Sequence, residues 1–180
     1  MHGIIFLELK KYVGAKWGAP AWSTLLADAG LGSRSYLPVH EYPDDEAELL
    51  IGTVAKTTGQ TFPTLLEDFG EFIVPDLLQV YRSLIHANWR TLDLIENTER
   101  MIHRIVRLRN PGARPPQLVT ERRNPSQVAI HYRSTRRMCG IAKGMARGVA
   151  KHYGERVAIH EPQCMHTGAP ECVIELRLAN

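Results

Sequence analysis

Three polar residues at a spacing of two stand in the segment HYRSTRRMCG, which covers residues 131–140. If the backbone is extended there, Tyr132, Ser134 and Arg136 share one face, because side chains alternate between the two faces of a strand. A guanidinium group and two hydroxyl groups that point the same way are well matched to carboxylate oxygens. The spacing therefore indicates a clamp for an anionic ligand.

A second candidate site involves the cysteines, which stand at positions 139, 164 and 172. An odd number of cysteines cannot all pair within one chain, and a reducing compartment disfavours disulfides. Zn²⁺ in a structural site takes four ligands, usually Cys or His, in a tetrahedron. The segment IHEPQCMHTGAPEC also holds His160 and His166, so the three thiols leave one place for a histidine.

His103 is a third candidate, at the edge of an apolar stripe on a long predicted helix. That stripe is formed by Leu92, Ile95, Ile102 and Val106. A single helical histidine is most simply an exposed or hydrogen-bonded residue. A neutral imidazole held on a rigid helix beside apolar side chains can nevertheless serve as an axial ligand of haem iron.

The elements that must position these residues are helices first and strands later. Apolar spacing and helix punctuation predict helices near 3–16, 19–32, 42–59, 61–78 with a break at Pro75, and 91–108. Strands are predicted at 116–123, 126–134, 156–162 and 171–178, with one long helix at 135–154. The order indicates an α+β fold: a helical lobe, then a lobe with a four-stranded antiparallel sheet and one long helix.

Composition fits one globular domain over residues 1–180, with 44% hydrophobic and 23% charged residues. The basic residues are concentrated in the second half: residues 91–180 carry 15 Lys and Arg against 8 Asp and Glu, whereas residues 1–90 carry 7 against 11. An anionic partner is therefore expected. Nucleic-acid-binding motifs, a membrane-spanning run and a secretory signal are missing from the sequence, so we expect a cytoplasmic protein that binds neither nucleic acid nor membrane.

Taken together, HRIVRLRNPGARPPQL and HYRSTRR resemble the haem-nitric oxide/oxygen binding (H-NOX) family, and the likeness extends from MHGIIF to CMHTGAPEC. The resemblance implies a haem between helix and sheet, with His103 as proximal iron ligand. It also implies that Tyr132, Ser134 and Arg136 hold the haem propionates. Ile5 and Pro116 match positions that press on the porphyrin. Without a Cys-x-x-Cys-His motif the haem is expected to be non-covalent haem b.

The resemblance further implies two subdomains, a distal one over about residues 1–60 and a proximal one over about 61–180. Family members that hold oxygen use a distal tyrosine, and the matching residue here is Ile141. The positions that hold polar or aromatic residues beside this tyrosine in such members are Leu9 and Ile73 here. Leu77, also expected on the distal side, offers no acid or base. These residues predict a sensor of nitric oxide, which also binds carbon monoxide but not oxygen, and not an enzyme. Its expected partner is a histidine kinase or a cyclic-di-GMP enzyme, that is, a diguanylate cyclase or phosphodiesterase.

Some bacterial family members carry a zinc site, which the resemblance places at Cys139, Cys164 and Cys172. Their histidine stands where this chain has Glu161, and the preferred fourth ligand here is His160, with Glu161 and His166 as alternatives. Two other functions stay open: a zinc-bound cysteine redox sensor in the same scaffold, and a haem enzyme. A zinc-stabilised domain without haem is a further alternative.

Overall fold

Helices come first along the chain and the sheet comes last in the computed structural model, which describes residues 1–179. The first helices are α1 (Gly3–Trp17), α2 (Ala21–Asp28), α3 (Asp44–Thr58), α4 (Phe62–Phe72), α5 (Val74–Val80), α6 (Thr91–Asn97) and α7 (Arg104–Arg109). The later elements are β1 (Gln117–Asn124), β2 (Gln127–Arg133), α8 (Cys139–His152), β3 (Arg156–Gln163) and β4 (Cys172–Ala179). The predicted α+β class is confirmed.

The helix ends follow the signals in the sequence. Helix α3 starts with an acidic first turn, which suits the positive end of the helix dipole, and ends at Gly59 in the left-handed conformation, with φ of 69°. Pro75 lies in the first turn of α5, where its missing N–H costs no hydrogen bond, and the predicted break falls at Ile73 between α4 and α5. Among residues 1–179 no helix has both the length and the apolar character needed to cross a bilayer.

The helical segment from Thr91 to Arg109 is continuous but changes its winding. Helix α6 passes into a π-helical stretch over Thr98–His103, and α7 completes the segment. The predicted extent, 91–108, is therefore confirmed to within one residue, while the wider π turn was not predicted. Such turns are rare and often lie at functional sites.

The sheet has the strand order β1-β2-β4-β3, and every neighbouring pair is antiparallel. Side chains that point inward from β2 and β4, such as Ile130 and Ile174, are directly paired and buried against α8 and α6. The opposite face carries charged groups, among them Glu171, which accepts hydrogen bonds from His131 and Arg133. One face therefore belongs to the core and the other to the surface.

Helix α8 lies very close to α4 because its contact side is made of glycine. A Cβ atom on Gly144 would stand 1.9 Å from the backbone oxygen of Glu67. Gly140 and Gly148, one turn to either side, are closed in by α4 and the start of α5 in the same way. This close approach fixes the position of α8 relative to α4, and with it the opposite side of α8, which lines a cavity.

Candidate functional site

A cavity of about 260 Å³ lies between the segment 91–109, helix α8 and helix α5. Most of its wall is hydrocarbon, contributed by α1, α5, α6, α8 and the loop before β1. Its polar side chains are His2, Tyr81, Thr98, His103, Arg114, Tyr132 and Arg136. A large apolar ligand with one polar edge fits this lining.

Most of the residues predicted to contact a haem meet at this cavity, but two do not. The lining includes His103, Tyr132, Arg136, Ile5, Pro116, Ile73, Leu77 and Ile141. Leu9 does not line it: one turn beyond Ile5 on α1, it is 2% exposed and packs in the helical core. Ser134 is also outside the lining.

Ser134 lies just beyond strand β2, which ends at Arg133, and its predicted role in a clamp stays a prediction. The alternation of side chains that placed three residues on one face stops there, and the chain turns at Ser134. The Ser134 hydroxyl accepts a hydrogen bond from the Arg136 backbone N–H at 3.2 Å. Tyr132 and Arg136 reach the cavity, and Ser134 stays within hydrogen-bonding reach of the Tyr132 phenol.

His103 closes the π-helical stretch, and its side chain is 15% exposed. The ring Nδ1 lies 2.8 Å from the Glu99 carboxylate, one helical turn earlier. Burial lowers the pKa of His103, although the hydrogen bond to Glu99 acts in the opposite direction. The imidazole is therefore held in the neutral form that binds a metal, and Nε2 is the nitrogen left for an axial bond.

Arg136 is also fixed by partners. Its guanidinium contacts both oxygens of Asp44 at 3.3 and 3.4 Å and donates to the Arg114 backbone oxygen. Burial acts to raise the pKa of Asp44, but the Met1 amino group and Arg136 outweigh it and hold the pKa below its ordinary value. A cation is thus present at the polar edge of the cavity, as carboxylate groups of a haem require.

The wall formed by Ile5, Ile73, Leu77 and Ile141 presents only aliphatic side chains. Tyr81 lies one turn beyond Leu77 and is the phenol at the end of α5. Burial raises the pKa of Tyr81, while the positive charge of Arg109 on α7 lowers it. The phenol lines the same cavity, so it is the hydroxyl group that stands nearest in the chain to this aliphatic wall.

The three cysteines come together at a separate site, where α8 begins beside the β3–β4 connection. Ligand atoms of Cys139, Glu161, Cys164 and Cys172 all lie within 4.8 Å of one another. The Cys164 sulfur is 3.8 Å from that of Cys139 and 3.7 Å from that of Cys172, and all three thiols are free. Burial raises the pKa of Cys172 to about 11 and that of Cys139 still further.

The fourth member of this cluster is Glu161 and not His160, the preferred candidate from the sequence. Alternate residues of β3 face opposite ways, so Glu161 points inward while the His160 side chain is 72% exposed and hydrogen-bonds Glu175 at 3.2 Å. His166 is hydrogen-bonded to the Arg137 backbone oxygen instead. Glu161 Oε1 is buried without a partner, and its other oxygen receives Lys143 at 2.9 Å. Three thiols and one unpartnered oxygen fit a tetrahedral metal ion.

Sequence reasoning missed several residues at the cavity, among them Tyr81 in its lining and two acidic residues, Glu99 and Asp44, that hold its polar side chains. Glu99 could have been found, because residues four apart on a helix are neighbours. Asp44 is 92 positions from Arg136 and gives no local signal. Tyr81 follows the end of α5 and stands in no recognisable motif.

Comparison with known proteins agrees with this geometry. The family model described as "Haem-NO-binding" matches residues 2–161. The soluble guanylate cyclase gcy-31 of Caenorhabditis elegans is 22% identical over 153 residues, which are 84% of this chain and 22% of that protein. The chain thus spans about a fifth of the length of this curated relative.

Solved structures with the same fold include an H-NOX protein from S. oneidensis in its Fe(II)NO ligation state. The TM-score is 0.94 at 27% identity, with 100% of both chains covered. A histidine-to-glycine mutant of the Shewanella oneidensis H-NOX domain in the Fe(II)CO state gives 0.89 at 27%, with 100% of this chain and 99% of that one covered. The unliganded H-NOX protein from K. algicida gives 0.88 at 21%, with 100% and 97% covered, and this likeness shows the fold alone.

Proposed function

Since the chain belongs to the haem-NO-binding family, we propose that it is a nitric oxide sensor that carries non-covalent haem b with His103 as the iron ligand. Domains of this family bind haem and sense gases without catalysing a reaction themselves. The observation that carries the proposal is His103, held by Glu99 through Nδ1 in the wall of an apolar cavity that has Arg136 at one edge. Ferrous haem b would supply the iron that takes up nitric oxide or carbon monoxide.

The chain's own residues divide the work of holding the haem. His103 offers Nε2, while Arg136 and Tyr132 stand where carboxylate groups need donors. Ile5 and Pro116 line the cavity from the start of α1 and from the loop before β1, and we propose that they would press on a bound porphyrin. No Cys-x-x-Cys-His sequence is present, so thioether links are not part of the proposal.

Selection against oxygen is proposed to come from the aliphatic wall. Oxygen on ferrous iron is polarised and is stabilised by a hydrogen-bond donor, whereas nitric oxide and carbon monoxide need little such help. Ile5, Ile73, Leu77 and Ile141 offer no donor, and we propose that the Tyr81 phenol, which also lines the cavity, does not reach bound oxygen. The same wall offers no acid or base for oxygen or peroxide chemistry, which disfavours the haem-enzyme alternative.

Absorption spectra test this proposal directly. The reduced, haem-loaded protein should change its Soret band with nitric oxide and with carbon monoxide, and it should keep its ferrous spectrum in air-equilibrated buffer over the mixing time. The Tyr81→Phe variant should behave in the same way. If air produced a new and stable spectrum, the proposed selectivity would be wrong; if Tyr81→Phe then removed that spectrum, Tyr81 would be the missing donor.

The output is proposed to be regulation of a separate signalling protein, either a histidine kinase or a diguanylate cyclase or phosphodiesterase. The guanylate cyclase relative, of which this chain spans about a fifth, supports a role within a signalling system. We propose the cytoplasm as the location, because three free thiols in one cluster persist where the compartment is reducing. A kinase or cyclic-di-GMP turnover assay, with and without the nitric-oxide-loaded protein, tests the partner class.

A zinc ion on Cys139, Glu161, Cys164 and Cys172 is a second proposal, supported by the 4.8 Å cluster and the unpartnered Glu161 oxygen. In this site the thiols, neutral in the absence of metal, would bind as thiolates. Oxidation of those thiolates would add a redox response.

Metal analysis of protein purified without chelator should give about one zinc per chain. Glu161→Gln should lower zinc affinity, and His160→Gln, on the exposed side of β3, should not. The reverse pattern would restore His160 as the ligand, and a protein without zinc would remove the site altogether.

A further inference from the structure

Glu99 is the polar group in closest contact with His103, and its place in the fold suggests a specific task. The two residues are one turn apart in the π-helical stretch, and Glu99 Oε2 lies 2.8 Å from His103 Nδ1. Both side chains are largely withdrawn from solvent, with 29% and 15% exposure. The contact is thus part of the cavity wall's support and not an ion pair on an open surface.

The Glu99 carboxylate is held from two further directions. Arg107, two turns along the same segment, donates to Oε1, and the backbone N–H of Leu118 donates to Oε2 at 3.3 Å. Leu118 is the second residue of strand β1, so Glu99 connects the helix that carries His103 to the sheet. A carboxylate with three donors around it cannot rotate away from the imidazole without losing other bonds.

An ionised carboxylate can only accept hydrogen bonds, which decides the form of the ring beside it. The hydrogen bonds that Arg107 and the Leu118 backbone N–H donate to Glu99 favour its ionised form. A neutral imidazole has one ring proton, and that proton must then sit on Nδ1. The lone pair is left on Nε2.

We propose that Glu99 is a positioning residue that fixes the tautomer and orientation of His103, so that Nε2 faces the cavity, and that its negative charge increases electron donation from the imidazole to the metal. Carboxylate groups behind metal-bound histidines raise ligand basicity in this way. The inference rests on the proposed role of His103 as the iron ligand. Glu99 would then control the strength of the bond between His103 and the iron. A histidine that donates more strongly is harder to displace when the iron binds a gas.

A competing explanation is that Glu99 only forms a helix-stabilising pair with a residue four positions on. Such a pair would affect unfolding but would leave the iron unaffected. Glu96 gives a matched comparison, because it lies on the same helical segment and forms an ion pair with Arg122 at 2.6 Å without contacting His103. Glu99→Gln and Glu96→Gln each remove one charge while preserving the side-chain shape.

The test is resonance Raman spectroscopy of the reduced, haem-loaded protein, read at the iron–histidine stretching band, together with the midpoint reduction potential of the iron. Glu99→Gln should lower the frequency of the band, raise the potential, and increase the rate of haem loss by roughly 10-fold, within the range seen when such outer partners are changed. Glu99→Leu, which removes the acceptor entirely, should show larger changes in the same direction. Glu96→Gln should match the unmodified protein in all three measurements.

The outcomes separate the two levels of the argument. If His103→Gly leaves the iron–histidine band in place, the proposed iron ligand is wrong. If that variant removes the band while Glu99→Gln and Glu99→Leu leave band and potential unchanged, His103 stands and the role given to Glu99 is overturned. A change in melting temperature alone, equal for Glu99→Gln and Glu96→Gln, would support the helix-pair explanation and reject ours.

Discussion

The two walls of the main cavity are built on opposite principles. On the wall formed by the segment 91–109 and the β1–β2 side, polar groups are present and held: His103 by Glu99 and Arg136 by Asp44. On the wall formed by α1, the α4–α5 junction and α8, the facing side chains are apolar. One wall can orient a ligand, whereas the other can discriminate only by shape and by offering no donor.

This difference explains how one cavity can hold a large cofactor firmly and still respond to a small gas. Binding strength comes from the polar wall, where partnered side chains lose little freedom when a ligand arrives. In the proposed function, selectivity against oxygen would come from the aliphatic wall, because a polarised ligand there gains no hydrogen bond. Changes on the first wall should therefore alter attachment, and changes on the second should alter gas preference.

The largest effect is expected from His103→Gly. Removal of the imidazole should abolish the iron–histidine Raman band, and added imidazole should restore it, because the cavity created can admit the free ligand. His160→Gly, on an exposed position of β3, serves as control and should leave the band unchanged. A band that survived in His103→Gly would place the iron ligand elsewhere.

The next largest effect concerns the backbone contact that supports the aliphatic wall. Gly144→Ala should destabilise the protein by about 3 kcal/mol, because a Cβ there would meet a backbone oxygen of α4 at 1.9 Å and the helices must separate. Gly52→Ala is the matched change, in the middle of α3 with nothing within 4 Å, and it should stabilise by about 0.5 to 1 kcal/mol. Urea unfolding of the two haem-loaded variants measures both values. Equal midpoints would show that α8 does not depend on its glycines.

A smaller effect is expected when a donor is added to the aliphatic wall. Ile141→Tyr should increase oxygen affinity by about 30-fold, since a hydrogen bond to a charged acceptor contributes about 2 kcal/mol. Ile141→Phe adds the ring without the hydroxyl and should not have this effect. Oxygen titration followed by absorption measures the difference. If Phe and Tyr behaved alike, steric change and not hydrogen bonding would govern the preference.

The parts of the site that the sequence predicted are those with local or periodic signals. His103, Tyr132 and Arg136 were found because they combine a motif with a family resemblance, and the aliphatic wall followed from Ile141. Ser134 does not line the cavity, because the extended backbone ends at Arg133, and strand ends are not visible in side-chain alternation.

The choice between His160 and Glu161 shows a second limit. The two residues are neighbours in the chain, three and four positions before Cys164. Which of them faces the cysteines depends on the register of β3, and that register is set by pairing with β4. Long-range partners such as Asp44 for Arg136 are fixed only by the packing of separate elements. The fold class could be predicted because it depends on element order alone.

The smallest predicted effect concerns the polar edge of the oriented wall. Arg136→Gln should weaken haem binding by about 1 kcal/mol, or roughly fivefold, because the guanidinium is one of several contacts and its edge is close to water. Arg133→Gln, one strand position after Tyr132 but with a 63% exposed side chain paired to Glu171, should leave haem binding unchanged. The rate at which each variant loses haem to an excess of an apoprotein acceptor measures the difference.

The same variant also gives a pH signature. Arg136 helps to keep the pKa of Asp44 below its ordinary value, so the stability that Asp44 contributes is present above about pH 4 and is lost as the pH falls through the lowered pKa. Arg136→Gln removes part of that contribution, and its stability should therefore fall less steeply with acid than that of the unmodified protein. Identical acid profiles, measured by urea unfolding between neutral and acidic pH, would mean that the Met1 amino group alone holds the Asp44 charge, and that Arg136 serves the haem edge and not the fold.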